Sequence, residues 1–220
     1  MGTAVVTGAN RGIGLELVRQ LRARGKEVVA VCRQSSPELG ALGAQVESGC
    51  DVADPETWNA LARRLDGADI DLLIQNAGRL ERDTLDDASP ADVRSQFEVN
   101  ALGPLFVTQA LLPRMRTGAK IALITSRMGS MGDNGSGGFY GYRMSKAALN
   151  AAGVSLAHDL KPRGIAVVIL HPGPVRTGMT GGTGQLDPDE SVRGLLQRID
   201  ELTLENTGRF LHMSGEALPW

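Results

Sequence analysis

Tyr142 and Lys146 stand four positions apart in the run Tyr142-Arg143-Met144-Ser145-Lys146. On a helix, residues at i and i+4 share one face, so a phenol and an ammonium would project side by side. A free phenol titrates near 10 and is a poor base at neutral pH. A neighbouring ammonium favours the phenolate, and the pair is expected to tune the phenol toward neutrality. Such a group gives a proton to a carbonyl oxygen or takes one from an alcohol. The chain has only one other tyrosine, Tyr140, and it has no lysine four residues on; pocket lining is its expected part.

A second segment speaks to phosphate. Thr7-Gly8-Ala9-Asn10-Arg11-Gly12-Ile13-Gly14 joins the apolar run Thr3–Thr7 to a stretch with Ile13, Leu17 and Leu21 at helical spacing. Glycine lets backbone turn tightly and approach a pyrophosphate. The helix that follows offers unpaired N–H groups and its positive end. The spacing, Gly-x-x-x-Gly-x-Gly, departs from the Gly-x-Gly-x-x-Gly dinucleotide fingerprint. The next apolar run, Glu27–Cys32, leads into Arg33 with no acid at its end. An acid there would bond the ribose 2′-hydroxyl of NAD, whereas an arginine accommodates the 2′-phosphate of NADP. Arg11 is a second candidate. Guanidinium matches phosphate bidentately, so NADP(H) is expected over NAD(H).

Four motifs in order resemble the short-chain dehydrogenase/reductase family. They are Thr7–Gly14, Gln75-Asn76-Ala77-Gly78 (with Gln for the family's first Asn), Tyr142–Lys146, and Pro172-Gly173-Pro174-Val175-Arg176-Thr177. The stretches RMGS and SGGFYGYRMSK and the tail ending GEALPW are similar to the C-factor-like branch of that family. The resemblance implies an NADP(H)-dependent oxidoreductase that interconverts a carbonyl and an alcohol. An NADP(H)-binding sensor or signalling protein of the same fold is the alternative. Ser126 would hydrogen-bond the substrate oxygen, with Ser130 as its rival. Asn100 would kink its helix and hold a water that extends a proton relay. Lys146 would both tune Tyr142 and bond the nicotinamide ribose. Cofactor contacts would come from Gly8, Asn10, Arg11, Gly12, Ile13 and Gly14, from Arg33, Asp51 and Val52, from Asn76, Ala77 and Gly78, from Tyr142 and Lys146, and from Pro172, Gly173, Val175 and Thr177. Sixteen positions separate Ser126 from Tyr142, more than is usual in the family, with the glycine-rich stretch Gly132–Gly138 between. Thr177–Asp187 would be a mobile substrate loop, and a homodimer or homotetramer would form through two long helices.

These residues need a frame. Short β-branched runs alternate with stretches of helical period: strands at Thr3–Thr7, Glu27–Cys32, Ala44–Cys50, Asp71–Gln75, Lys120–Thr125, Ile165–Leu170 and Gly208–Leu211, and helices over Gly12–Arg24, from Asp54-Pro55, over Phe97–Arg116 and over Tyr142–Leu160. Doubly apolar strands separated by helices predict an α/β fold with a parallel sheet covered on both faces. One doubly wound Rossmann domain over residues 1–220, with strand order 3-2-1-4-5-6-7, is expected. Glycine makes up 28 of 220 residues, well above the usual share of about 7%, with no collagen-like period.

Composition narrows the function. The net charge is −2, which argues against a nucleic-acid surface as the main business of the chain. No apolar run approaches the ~18 residues of a membrane span. The first residues lack the charged and apolar regions of a signal peptide. A cytoplasmic location is expected, with a small-molecule substrate and neither nucleic acid nor membrane as partner. Two cysteines make no disulfide framework, and His158, His171 and His212 are too scattered in sequence to suggest a metal site.

Overall fold

The computed structural model describes residues 2–220. Seven strands form one sheet: β1 (Thr3–Thr7), β2 (Glu27–Val31), β3 (Gln45–Glu47), β4 (Ile70–Gln75), β5 (Met115–Ile124), β6 (Ala166–His171) and β7 (Phe210–His212). Their order is β3-β2-β1-β4-β5-β6-β7, and every pairing is parallel. Because side chains alternate across a strand, each central strand feeds two cores. Val5, Leu73 and Ile169 face α3 (Pro55–Arg64), α5 (Gly103–Leu111) and α6 (Tyr140–Leu160). Val6, Ile74 and Leu170 face α1 (Gly12–Ala23) and α7 (Pro188–Asp200). Burial on both faces explains why these strands read as continuous apolar runs. Cys32 and Cys50 are free and buried, one in each layer.

Helix starts follow local chemistry. Asp54 accepts from Glu56 N at 2.9 Å ahead of Pro55, and Ser36 accepts from Leu39 N ahead of the short α2 (Pro37–Gly40). Ser89 caps α4 (Pro90–Phe97) in the same way.

The helix expected over Phe97–Arg116, kinked at Asn100, is helical from Pro90 to Arg114 but not one α-helix. Helix α4 ends at Phe97, a π-helical turn spans Glu98–Leu102, and α5 then runs only to Leu111. The cause lies in two prolines. Pro104 has no N–H for the carbonyl of Asn100, and Pro113 closes the segment in a 3₁₀ turn at Leu112–Arg114. Strand β5 therefore starts at Met115, five residues before the expected Lys120. It carries a register shift, Ile70 pairing with Met115 and Leu72 with Lys120. Helix α6 begins two residues early, at Tyr140, and β3 is shorter than the Ala44–Cys50 run. Helix α7 is absent from the sequence expectations, although Asp187-Pro188 and the spacing of Val192, Leu195, Leu196 and Ile199 would have marked it.

Candidate active site

Strand order reverses between β1 and β4, and an open parallel sheet has its crevice outside the carboxyl ends of the strands at such a point. The glycine loop leaves β1 there. Gly8 has φ +66°, and a Cβ on Gly14 would collide with the carbonyl oxygen of Gly8, so neither position accepts a side chain without strain. Helix α1 starts from Arg11 with no side-chain cap and no acid in its first turn. An uncapped helix start behind a bare glycine cradle fits the phosphates of a dinucleotide.

A brace holds this cradle. Thr7 Oγ1 accepts from Asn76 N and Ala77 N, at 3.0 and 3.1 Å. The Asn76 amide donates to the carbonyls of Thr7 and Gly8, at 3.0 and 3.2 Å. Gln75, the departure from the family motif, is buried and donates to Pro104 O and Thr108 Oγ1. Across the crevice, Thr177 Cγ2 lies 3.4 Å from where a Cβ on Gly12 would stand. Pro172, Gly173 and Val175 are buried beside it.

At the far end of the crevice Arg33 is exposed, its Nη1 3.8 Å from Asp51 Oδ2. Asp51 also accepts from Ala53 N at 3.0 Å. The side chain of Val52 belongs to the core, which leaves its backbone as the part that could meet a ligand. Arg11 is exposed, and Asn10 and Ile13 are half-buried.

Tyr142, Lys146, Ser126 and Asn100 come together. A Cβ on Gly78 would lie 3.4 Å from Asn100 Oδ1, 3.7 Å from Met179 Cε and 3.8 Å from Lys146 Nζ, so four segments meet at this point. Asn100 is fully buried in the π-helical turn. Its amide pairs with the backbone of Arg79 in both directions at 2.8 Å and donates to Ser145 Oγ at 3.0 Å. Ser126 Oγ accepts from Met128 N at 3.1 Å, and its hydroxyl is placed to lower the pKa of the Tyr142 phenol. Ser130, its rival, accepts from Asp133 N at 3.0 Å in the same manner.

The phenol is not acidified as the spacing suggests. Burial pushes Tyr142 up to about 12, against the opposing hydrogen bond from Ser126. Lys146 Nζ donates to Ile124 O at 2.9 Å and stands 5.7 Å from the phenol ring centroid. Burial drops its own pKa to about 8. Desolvation decides the balance, leaving Tyr142 a neutral phenol at neutral pH.

Two histidines far apart in sequence also meet. His171 and His212 lie with ring centroids 5.3 Å apart. Burial, then the neighbouring His212, lowers His171 to about 3. No group of three or more metal-binding side chains forms among the described residues. Sequence reasoning also missed Asp83, whose carboxylate accepts from backbone N–H groups 57 and 58 residues away at the start of α6. No local pattern could have shown it.

Residues 2–187 match a family model described as short chain dehydrogenase. The chain belongs to the short-chain dehydrogenase family. It is an oxidoreductase of that type. This short-chain dehydrogenase is 42% identical, over the whole of both chains, to a 1-hydroxy-2-glutathionyl-2-methyl-3-butene dehydrogenase of Rhodococcus. It is 49% identical to the C-signal protein of Myxococcus xanthus over 69% of this chain and 93% of that one. The solved NADPH-bound carbonyl reductase from chicken fatty liver superposes with a TM-score of 0.91 at 32% identity, covering 99% of this chain and 98% of that one. No helix among the described residues is long and apolar enough to cross a membrane.

Proposed function

We propose that this short-chain dehydrogenase is an NADPH-dependent carbonyl reductase, able to run in reverse as an alcohol dehydrogenase. One observation carries the reading. A buried neutral phenol, its pKa lowered by the Ser126 hydroxyl, lies one helical turn from Lys146, whose Nζ meets Asn100 Oδ1 around Gly78. The bound dinucleotide supplies the hydride. Tyr142 holds the proton that the carbonyl oxygen takes up. Ser126 donates to the same oxygen and steadies its developing charge. Lys146, charged below about pH 8, favours the phenolate left behind and bonds the cofactor ribose. Asn100 anchors the turn behind them, and its own carbonyl, lacking the Pro104 N–H, is available to a proton-carrying water.

Gly8, Asn10, Arg11, Gly12, Ile13 and Gly14 would hold the pyrophosphate. Arg33 and Arg11 would favour the 2′-phosphate, giving NADP(H) over NAD(H), and Asp51 and Val52 would bound the adenine. Asn76, Ala77, Gly78, Pro172, Gly173, Val175 and Thr177 would line the nicotinamide half. Residues 1–220 act as one catalytic unit, with Thr177–Asp187 over the substrate. A homo-oligomer is part of the same reading, supported by exposed Leu102, Phe106 and Met144 on and beside α5 and on α6.

The likeness to the C-signal protein favours one second reading, an NADP(H)-binding signalling protein with little turnover. Steady-state NADPH oxidation against a panel of aldehydes and ketones separates the two. Turnover of at least one carbonyl is expected. Tight NADPH binding with no turnover on any compound would favour the signalling protein.

A further inference from the structure

Asp83 lies in the loop between β4 and α4, yet it is 8% exposed. Its backbone carbonyl accepts from Phe139 N at 2.8 Å. Its carboxylate accepts from Tyr140 N and, at 3.1 Å, from Gly141 N. Three successive N–H groups at the start of α6 thus end on one residue from a distant part of the chain. No side chain of the helix's own N-cap, Phe139, does this work.

The turn that delivers the helix is unusual. Gly137, Gly138 and Phe139 are all left-handed, with φ of +64°, +63° and +53°, and Phe139 is the only non-glycine residue with positive φ among the described residues. Such a conformation persists only where its surroundings over-determine it, and it clusters at functional sites. Arg143 holds the opposite side of the turn. It donates to Gly138 O at 3.0 Å, to Gly137 O at 3.3 Å and to Ser136 Oγ at 2.9 Å. Tyr142, the third residue of α6, sits between the two clamps.

We propose that Asp83 is a positioning residue for Tyr142: it fixes the first turn of α6 and offsets the positive end of that helix beside the phenol. The inference rests on Tyr142 being the proton donor. An uncompensated helix start stabilises anions near it, which would draw the proton off a phenol in the first turn. A carboxylate bonded to the end N–H groups opposes that pull. Among the other charges around the turn, the acids Glu81 and Asp133 are each ion-paired to an arginine, and the rest are cationic. They are Lys146 one turn further along α6, Arg143, and Arg82, whose guanidinium lies 5.8 Å above the Phe139 ring. The Asp83 carboxylate is bonded to Tyr140 N and Gly141 N, so the helix end is its counter-charge.

Asp83→Asn keeps the size and removes the charge. Loss of a nearby negative charge lowers the pKa of a phenol or an ammonium alike. With NADPH and a carbonyl substrate, kcat is expected to fall about tenfold while the NADPH Kd holds. The alkaline limb of the kcat profile should move several tenths of a unit to lower pH, a change that follows from the charge contribution at a helix end. Should Asp83→Asn not fold, Asp83→Glu and Asp83→Gln carry the same comparison, and only the Gln variant should move the limb. Unchanged kcat, or a fall in kcat with an unmoved limb, overturns the proposal. Tyr142→Phe runs alongside. If it loses turnover while the Asp83 profile stays put, this inference alone fails. If it keeps turnover, the reading of Tyr142 fails first.

Discussion

Burial acts on Tyr142 and Lys146 in opposite senses, holding the proton on the phenol to about 12 and easing it off the ammonium near 8. That is the arrangement of a proton donor, suited to reducing a carbonyl. It also has a stability cost. The folded pKa of Lys146 lies below the 10.5 usual for a lysine, so the unfolded chain binds more protons between about 8 and 10.5. Stability therefore rises with pH across that window, and the full cost is felt below it. The bound on that cost is about 3 kcal/mol, and each kcal/mol is about 2–4 °C in Tm for a chain of this size. Lys146→Met is expected to raise Tm by several degrees at pH 7 while abolishing turnover; calorimetry and an NADPH assay check both. Arg33, exposed and loosely paired with Asp51, is the test of cofactor choice. Arg33→Asp should shift the NADPH-to-NADH ratio of kcat/KM by about 10- to 100-fold toward NADH, the worth of a charged hydrogen bond. The i, i+4 spacing made Tyr142 and Lys146 legible in the sequence. Their protonation was not, because desolvation is set by the whole packed site, and Asp83 was invisible because its partners are tertiary.

Among the elements, α6 does most of the positioning. It packs close on the sheet because a Cβ on Gly153 would stand 2.6 Å from Ile169 Cγ1 and 2.9 Å from Leu123 Cδ1. Gly153→Val should push the helix outward, lower stability by about 1–3 kcal/mol, and reduce kcat by displacing Tyr142; denaturant melts and kinetics read the two effects. The strands and α1 were plain in the sequence from apolar runs and periodicity. A kink at Asn100 was expected from the resemblance and the π-helical turn falls there, but the early end was not, because the apolar repeat of Phe97–Arg116 passes over Pro113, where the helical ladder gives way. The reverse error hid α7, where Asp187-Pro188 opens a regular amphipathic helix.

At the scale of the molecule, one parallel sheet carries the glycine loop, the Gln75–Gly78 turn, Ser126 and the Pro172–Thr177 turn all to its carboxyl edge. Alternating apolar strands and helices gave the covered parallel sheet, and the resemblance carried by the motifs gave the strand order. What alternation does not encode is the way the loops close over that edge: Thr177 against Gly12, Met179 beside Gly78, Asp83 under α6. These contacts turn a dinucleotide-binding sheet into a site with one buried phenol. The most direct test of that claim is NADPH consumption by Tyr142→Phe beside the unaltered protein, on a carbonyl that the latter reduces. The account predicts unchanged NADPH affinity and a loss of turnover of about 10²- to 10⁴-fold, the usual worth of a positioned proton donor. Turnover within a factor of a few of the unaltered protein would contradict it.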